Sequence, residues 1–232
     1  MSDEQDPPIE PRLLTPQQHY RIPPSSREII LVRHGSAGGE KMDVRLTLGE
    51  LTVTDPPLWP EGEAQAHSVG ARLSRERVSR IFVTPLQRTQ QTAAPLVDLT
   101  DIIPIVIPEL REVYLGDFEH EFYARAAAGD VLLKRMIAEE TVEVLPNAER
   151  MEDFSARVRI GIAKILDAMD PGTSAVAFIH AGTIAEICRQ ATGSRPFAFM
   201  GPENGSISRM VIHADGRWAL RSFNDIAHLS HA

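Results

Sequence analysis

From Glu28 onward the chain alternates short apolar runs with amphipathic stretches. The runs "IILV" (29–32), "IFV" (81–83), "IVI" (105–107) and "AVAFI" (175–179) are brief and mostly β-branched or aromatic, so they read as buried strands. After Pro60, "EGEAQAHSVGARLSRE" sets Ala66, Val69, Gly70 and Leu73 on one helical face. Thr84-Pro85 reads as an N-cap and first turn opening a helix through "LQRTQQTAAPLV", which Pro95 is expected to end or kink. The segment 151–170 places Phe154, Val158, Gly161, Ile162, Ile165 and Met169 on one side, and Pro171-Gly172 stops it. "TIAEICRQATG" sets Ile184, Ile187, Cys188 and Ala191 on one face, which makes Cys188 a buried small hydrophobe.

Strands alternating with helices predict an α/β sandwich around a mostly parallel sheet. Asp215-Gly216 between two alternating runs predicts a hairpin, and with it an antiparallel edge strand. Residues 1–27, with prolines at 7, 8, 11, 16, 23 and 24, read as an arm that is flexible or laid on the surface. The remainder, 28–232, reads as a single domain.

Composition narrows the function. The 232 residues carry a formal charge of −8, which argues against a nucleic-acid partner, since those domains need a basic face. No window approaches the roughly 18 apolar residues of a membrane span. The acidic, proline-rich start lacks a secretory pattern, and one cysteine offers neither a disulfide nor metal-ligand spacing. The expected location is cytoplasmic. In an acidic protein, an anionic ligand must meet a local cluster of cations, so where the arginines and histidines fall matters more than their number.

They fall at strand ends, where open α/β sheets bind ligands. Arg33, His34 and Gly35 follow the first run, and Arg88 follows the second. Glu109, Arg111, Glu112 and Asp117 follow the third, and His180 follows 175–179. Taken singly, each has a bland reading: a turn histidine, a solvated arginine, an exposed carboxylate, a core histidine. Taken together they make sense as phosphoryl-transfer chemistry. A neutral imidazole is a competent nucleophile near pH 7. Arginines grip phosphoryl oxygens in a bidentate way. The helix opening at Ala181 would aim backbone N–H groups at the same anion. A carboxylic acid can protonate the leaving alkoxide. No GxxxxGK[ST] loop is present.

"LVRHG", "TPLQRTQQTA", "LREVYLGDFE" and "AFIHAGTI" resemble the four motifs of the histidine phosphatase superfamily, in its phosphoglycerate-mutase-like branch. "LWPEGEAQA", "ENGSISRM" and "FNDIAHL" are similar to further family segments, so the resemblance spans roughly residues 28–229. It implies a doubly wound three-layer sandwich with a helical cap, here about 118–150, and a two-step reaction through a phosphohistidine. Carried across, His34 is the nucleophile, and Arg33, Arg88 and His180 clamp the phosphate. Glu112 is the general acid and base, with Asp117 its nearest rival. No cofactor or metal is implied, the partner is a phosphorylated small molecule, and a homodimer is common in the family. The chain departs from the family pattern at Ser36-Ala37-Gly38-Gly39-Glu40, at Glu119-His120 and at Ala148-Glu149-Arg150, all expected to border the pocket.

His180 follows Glu112 by 68 positions, whereas mutases of the family usually carry a longer insertion there. Water then reaches the phosphohistidine, so the expected reaction is monoester hydrolysis. A phosphoglycerate-type mutase and a phosphate-gripping module without chemistry are the alternatives. A metal-dependent phosphatase is disfavoured, because His19, His67, His120, His213, His228 and His231 form no paired-ligand motif. Arg125, Lys134, Arg135 and Arg150 in the cap read equally as substrate selectors and as solvated helix charges.

Overall fold

The computed structural model describes residues 21–38 and 44–229, so most of the N-terminal arm, His19, Gly39-Glu40 and His231 lie outside the described residues. Eight strands and six helices follow in chain order: β1 (Arg27–Arg33), β2 (Arg45–Leu48), β3 (Leu51–Thr54), α1 (Pro60–Leu73), β4 (Val78–Val83), α2 (Gln87–Thr100), β5 (Ile105–Val106), α3 (Phe122–Ala127), α4 (Val131–Glu139), α5 (Met151–Asp167), β6 (Ser174–Ile179), α6 (Ala181–Thr192), β7 (Ile207–Ile212) and β8 (Trp218–Asp225). Six strands form one sheet in the order β5-β4-β6-β1-β7-β8. β5, β4, β6 and β1 pair in parallel, while β7 runs antiparallel to both β1 and β8.

The alternation along each strand divides the apolar residues between two cores. Ile29, Leu31, Phe82, Ala175, Ala177 and Met210 face one core, with α5, α6 and residues from the segment 113–145. Ile30, Val32, Ile81, Val83, Val176 and Phe178 face the other, against α1 and α2. This is the mostly parallel, three-layer α/β architecture, with antiparallel pairing at one edge. Burying both faces explains why the central runs are continuously apolar instead of alternating. The predicted face of α1 is buried, and so is that of α5, including Met169 just beyond its end.

Three local expectations are corrected, and one hairpin is added. Pro95 does not end α2, which continues to Thr100. Its ring packs where a Cβ on Gly70 of α1 would come within 2.9 Å, so helix-on-helix packing offsets the missing hydrogen bond. Thr84 is not the N-cap, because α2 starts at Gln87 and the side chain of Asp55 accepts from the Gln87 N–H at 2.9 Å. The 105–107 run is a two-residue edge strand in which Ile105 and Val106 are exposed and Ile107 is buried beyond it. The β2–β3 hairpin, turning at Gly49, was not anticipated, although "RLTL" and "LTVT" alternate around Gly49-Glu50.

Candidate active site

β1, β4 and β6 end side by side, and their carboxyl ends carry Arg33-His34, Thr84 and His180. The His34 N–H continues the parallel ladder by donating to the Ile179 carbonyl at 3.0 Å, which holds the two histidine positions in register. The rings of His34 and His180 meet edge to face, with centroids 5.2 Å apart. The Gly35 N–H donates to Thr92 Oγ1 at 3.0 Å, and the Asn204 side-chain amide donates to the His34 carbonyl at 2.9 Å. The loop also passes unusually close to α1. A Cβ on Gly35 would lie 2.5 Å from the Gly62 carbonyl oxygen, and one on Gly62 would collide with the Ser36 carbonyl, so the bend after His34 requires glycine on both sides.

His34 Nδ1 lies 2.8 Å from the Gly35 carbonyl oxygen, which can only accept, so Nδ1 carries the proton and Nε2 keeps its lone pair. Arg88 Nε donates to that lone pair at 3.2 Å. The Arg88 guanidinium is held from behind, donating to the Thr54 carbonyl at 2.9 Å and facing Asp55 Oδ1 at 3.7 Å. Arg33 donates through Nη1 to the Pro202 carbonyl at 2.6 Å, and its Nε is buried without a partner among the described residues. His180 is fully buried, with Nε2 2.9 Å from Thr84 Oγ1 and Nδ1 likewise unpartnered. Thr84, expected as a helix cap, instead holds the second histidine through its hydroxyl.

Glu112 reaches the start of α6. Its Oε2 accepts from the Gly182 N–H at 3.0 Å, and its Oε1 accepts from the Thr183 and Val113 N–H groups at 3.1 and 3.0 Å. The helix N-terminus expected to hold the phosphate therefore holds a carboxylate first, through the Gly182 and Thr183 amides, which leaves the Ala181 amide ahead of them for a ligand. The two other carboxylates point elsewhere. Asp117 is exposed and accepts from Asn147 at 3.0 and 3.2 Å, and Glu109 pairs with Lys164 at 2.5 Å on the outside of α5. His34, Arg88, His180, Arg33 and Glu112 are thus gathered at one sheet edge, while Asp117 and Glu109 are not.

Burial pushes both imidazoles well below the ordinary histidine value, helped by the positive charge of Arg88 on each, and of Arg33 on His34. Both therefore stay neutral in the fold where the unfolded chain protonates. The unfolded state binds more protons below about pH 6.5, so stability is full above that value and falls as pH drops through it, by up to about 1.4 kcal/mol per pH unit per histidine. Urea midpoints measured from neutral to mildly acidic pH should decline with this slope, and inorganic phosphate in the site should reduce the decline. A flat profile would count against two buried neutral histidines. Burial also raises Asp55 and lowers Arg88, each opposed by the other's charge. It pushes the Cys188 thiol up to about 12, in keeping with an inert core residue.

The cap cations look outward. Arg125 pairs with Glu121 and Asp130, Arg135 with Glu139, and Arg150 with Glu152, and Lys134 is exposed. Among the described residues no group of three His, Cys, Asp or Glu is placed to hold a metal ion. No helix among them is long and apolar enough to cross a membrane. A groove of about 700 Å³ lies apart from this site, between α5 and α6, lined by Met151, Ser155, Arg159, Ile160 and Arg189 among others.

The model of the histidine phosphatase superfamily (branch 1) matches residues 29–226. The chain belongs to that superfamily. It is 28% identical over 210 residues to the Yersinia enterocolitica protein named "Probable phosphoglycerate mutase GpmB", which covers 87% of this chain and 94% of that protein. Among solved structures, mycobacterial glucosyl-3-phosphoglycerate phosphatase with inorganic phosphate superposes with a TM-score of 0.70 at 23% identity, over 88% of this chain and 100% of the other. Phosphoglycerate mutase from Bacillus anthracis does so at 0.68 and 23% identity, over 88% and 95%. The fold is thus phosphoglycerate-mutase-like.

Proposed function

We propose that this chain is a phosphomonoester hydrolase that passes the phosphoryl group through His34. The observation that carries this reading is the unprotonated His34 Nε2, kept so by the bond from Nδ1 to the Gly35 carbonyl, in a site with two unspent buried donors, Arg33 Nε and His180 Nδ1. A phosphoryl dianion would satisfy those two and would take Arg88 Nε over from its bond to His34 Nε2. With His180 Nε2 engaged by the Thr84 hydroxyl at 2.9 Å, Nδ1 is the ring nitrogen left for a phosphoryl oxygen, and the Ala181 amide adds a backbone donor. His34 Nε2 attacks phosphorus as the ester oxygen departs, and Glu112 supplies that oxygen's proton. In the second step Glu112 takes a proton from water, which attacks the phosphohistidine and releases inorganic phosphate.

Hydrolysis is preferred to mutase chemistry because the segment between Glu112 and His180 is short and its Arg125, Arg135 and Arg150 are engaged in ion pairs with neighbouring carboxylates. The mutase reading is supported by the names of relatives such as the Yersinia enterocolitica protein. Incubation with a panel of phosphomonoesters should yield inorganic phosphate and free alcohol in equal amounts. Isomerisation of phosphoglycerate without phosphate release, while other esters stay intact, would replace this reading with the mutase.

A further inference from the structure

The carboxylate of Glu112 stands on a short connection, residues 108–115, that contains one 3₁₀ turn and no long element to stiffen it. What stiffens it is a largely enclosed ionic cluster behind it, with side chains 10–14% exposed. Arg157, in the middle of α5, donates Nη1 to the carbonyls of Glu109 and Arg111 at 2.8 and 2.7 Å, and Nη2 to the carbonyl of Glu112 itself at 2.9 Å. The same guanidinium meets Glu149 through Nε and Nη2 at 2.6 and 2.8 Å. Glu149 in turn accepts from the Tyr114 N–H at 3.1 Å, and its own N–H donates to the Tyr114 carbonyl at 2.9 Å. Arg111 closes the cluster, donating to the Glu112 carbonyl at 3.1 Å and facing Glu149 at 3.4 Å. The carbonyls of Glu109, Arg111 and Glu112 and the N–H of Tyr114 are thus tied to one side-chain pair.

We infer that Arg157, locked in place by Glu149, is a positioning residue that sets where the Glu112 carboxyl stands relative to the leaving oxygen. It acts through Glu112 and touches no reacting atom. The chemistry favours arginine here, because a planar fork with five donors can serve three carbonyls and a carboxylate at once, and a lysine cannot. The three charged side chains are partly desolvated, which strengthens their bonds, and the Glu149 carboxyl is held below its usual range by Arg157 and Arg111 against its desolvation. The inference rests on the general-acid role proposed for Glu112. It is separable from it, since a floppy acid costs rate only for esters that need one.

The test is Arg157→Lys, with Glu149→Gln as a second variant that removes the lock and keeps the arginine. Both are assayed as kcat/KM on an alkyl phosphate and on an activated aryl phosphate whose phenolate leaves unprotonated. A displacement of about 1 Å in a catalytic group costs on the order of 100-fold, so the alkyl ester should lose about 10- to 100-fold and the aryl ester less than about threefold. A merely structural role lowers both rates together through the folded fraction, which thermal melts read separately. Added to Glu112→Gln, Arg157→Lys should change the alkyl-to-aryl ratio no further, because its effect passes through the group already removed. Equal losses on the two esters, or a further change of the ratio in the double variant, would overturn the inference. Were Glu112→Gln itself to spare the alkyl ester, the general-acid reading would fall and this inference with it. A selective loss in Glu112→Gln without one in either cluster variant overturns the positioning role alone.

Discussion

His34→Ala should lose at least about 10⁴-fold in kcat/KM on every ester, alkyl or aryl, because no other group described in the site can take its place as nucleophile. Thr84, Thr89 and Thr92 are buried hydroxyls spent on internal bonds, and His180 Nε2 is engaged with Thr84. The loss should fall on chemistry and spare binding. Arg33, Arg88 and His180 remain, and Arg88 Nε is released from its bond to the imidazole, so inorganic phosphate should still bind and still raise thermal stability. Mass analysis of acid-sparing quenched reactions should find the phosphoryl group on His34 in the parent chain and nowhere in the variant. Residual activity within about 100-fold of the parent, or a phosphorylated residue elsewhere, would remove the central step of the mechanism.

Glu112→Gln should separate substrates by their leaving groups. An alkoxide needs a proton as it departs, so kcat/KM for an alkyl phosphate should fall about 10²- to 10⁴-fold, the usual worth of a positioned acid. An activated aryl ester leaves without that proton and should keep its kcat/KM to within about tenfold. The second step also loses its base, so the variant should give a burst of phenol followed by slow turnover, with phosphoenzyme accumulating. The replacement is not sterically silent. The Gly182 and Thr183 N–H groups both donate to the carboxylate, and an amide can offer an oxygen to only one side of that pair. Melting curves run beside the kinetics read that local cost. Parallel losses on both esters would mean that another group is the acid.

Much of this molecule is written in local pattern. The central strands are legible because β1 and β6 are buried on both faces and so are apolar at consecutive positions. α1, α5 and α6 are legible because their buried residues recur at helical spacing, down to Cys188. The strand-end rule then brings His34, Arg88 and His180 to one edge from sequence alone. The β5 run misleads because apolar composition does not distinguish an exposed edge strand from a buried one. The β2–β3 hairpin escapes because its alternation is short and half exposed.

The choice among carboxylates is another matter. Glu109, Glu112 and Asp117 lie within nine positions of each other, and family resemblance, not pattern, favours Glu112. Only the fold separates them, turning Asp117 to Asn147, Glu109 to Lys164 and Glu112 to the start of α6. Arg157 shows the same limit, as a polar residue on an amphipathic helix whose partners Glu109, Arg111 and Glu112 come from a distant connection, with Glu149 just ahead of the helix.

By itself, then, the sequence determined which segments are buried, of which type, and which chemical groups stand at the ends of the central strands. Tertiary structure decided which nitrogen of His34 is free, which carboxylate meets α6 and what holds it there. The division is physical. Burial repeats at intervals of two or three to four residues and leaves its mark on neighbours, whereas the bonds from Arg88 to His34, from Gly182 to Glu112 and from Arg157 to the Glu112 carbonyl join residues 54, 70 and 45 positions apart and exist only once the chain has closed.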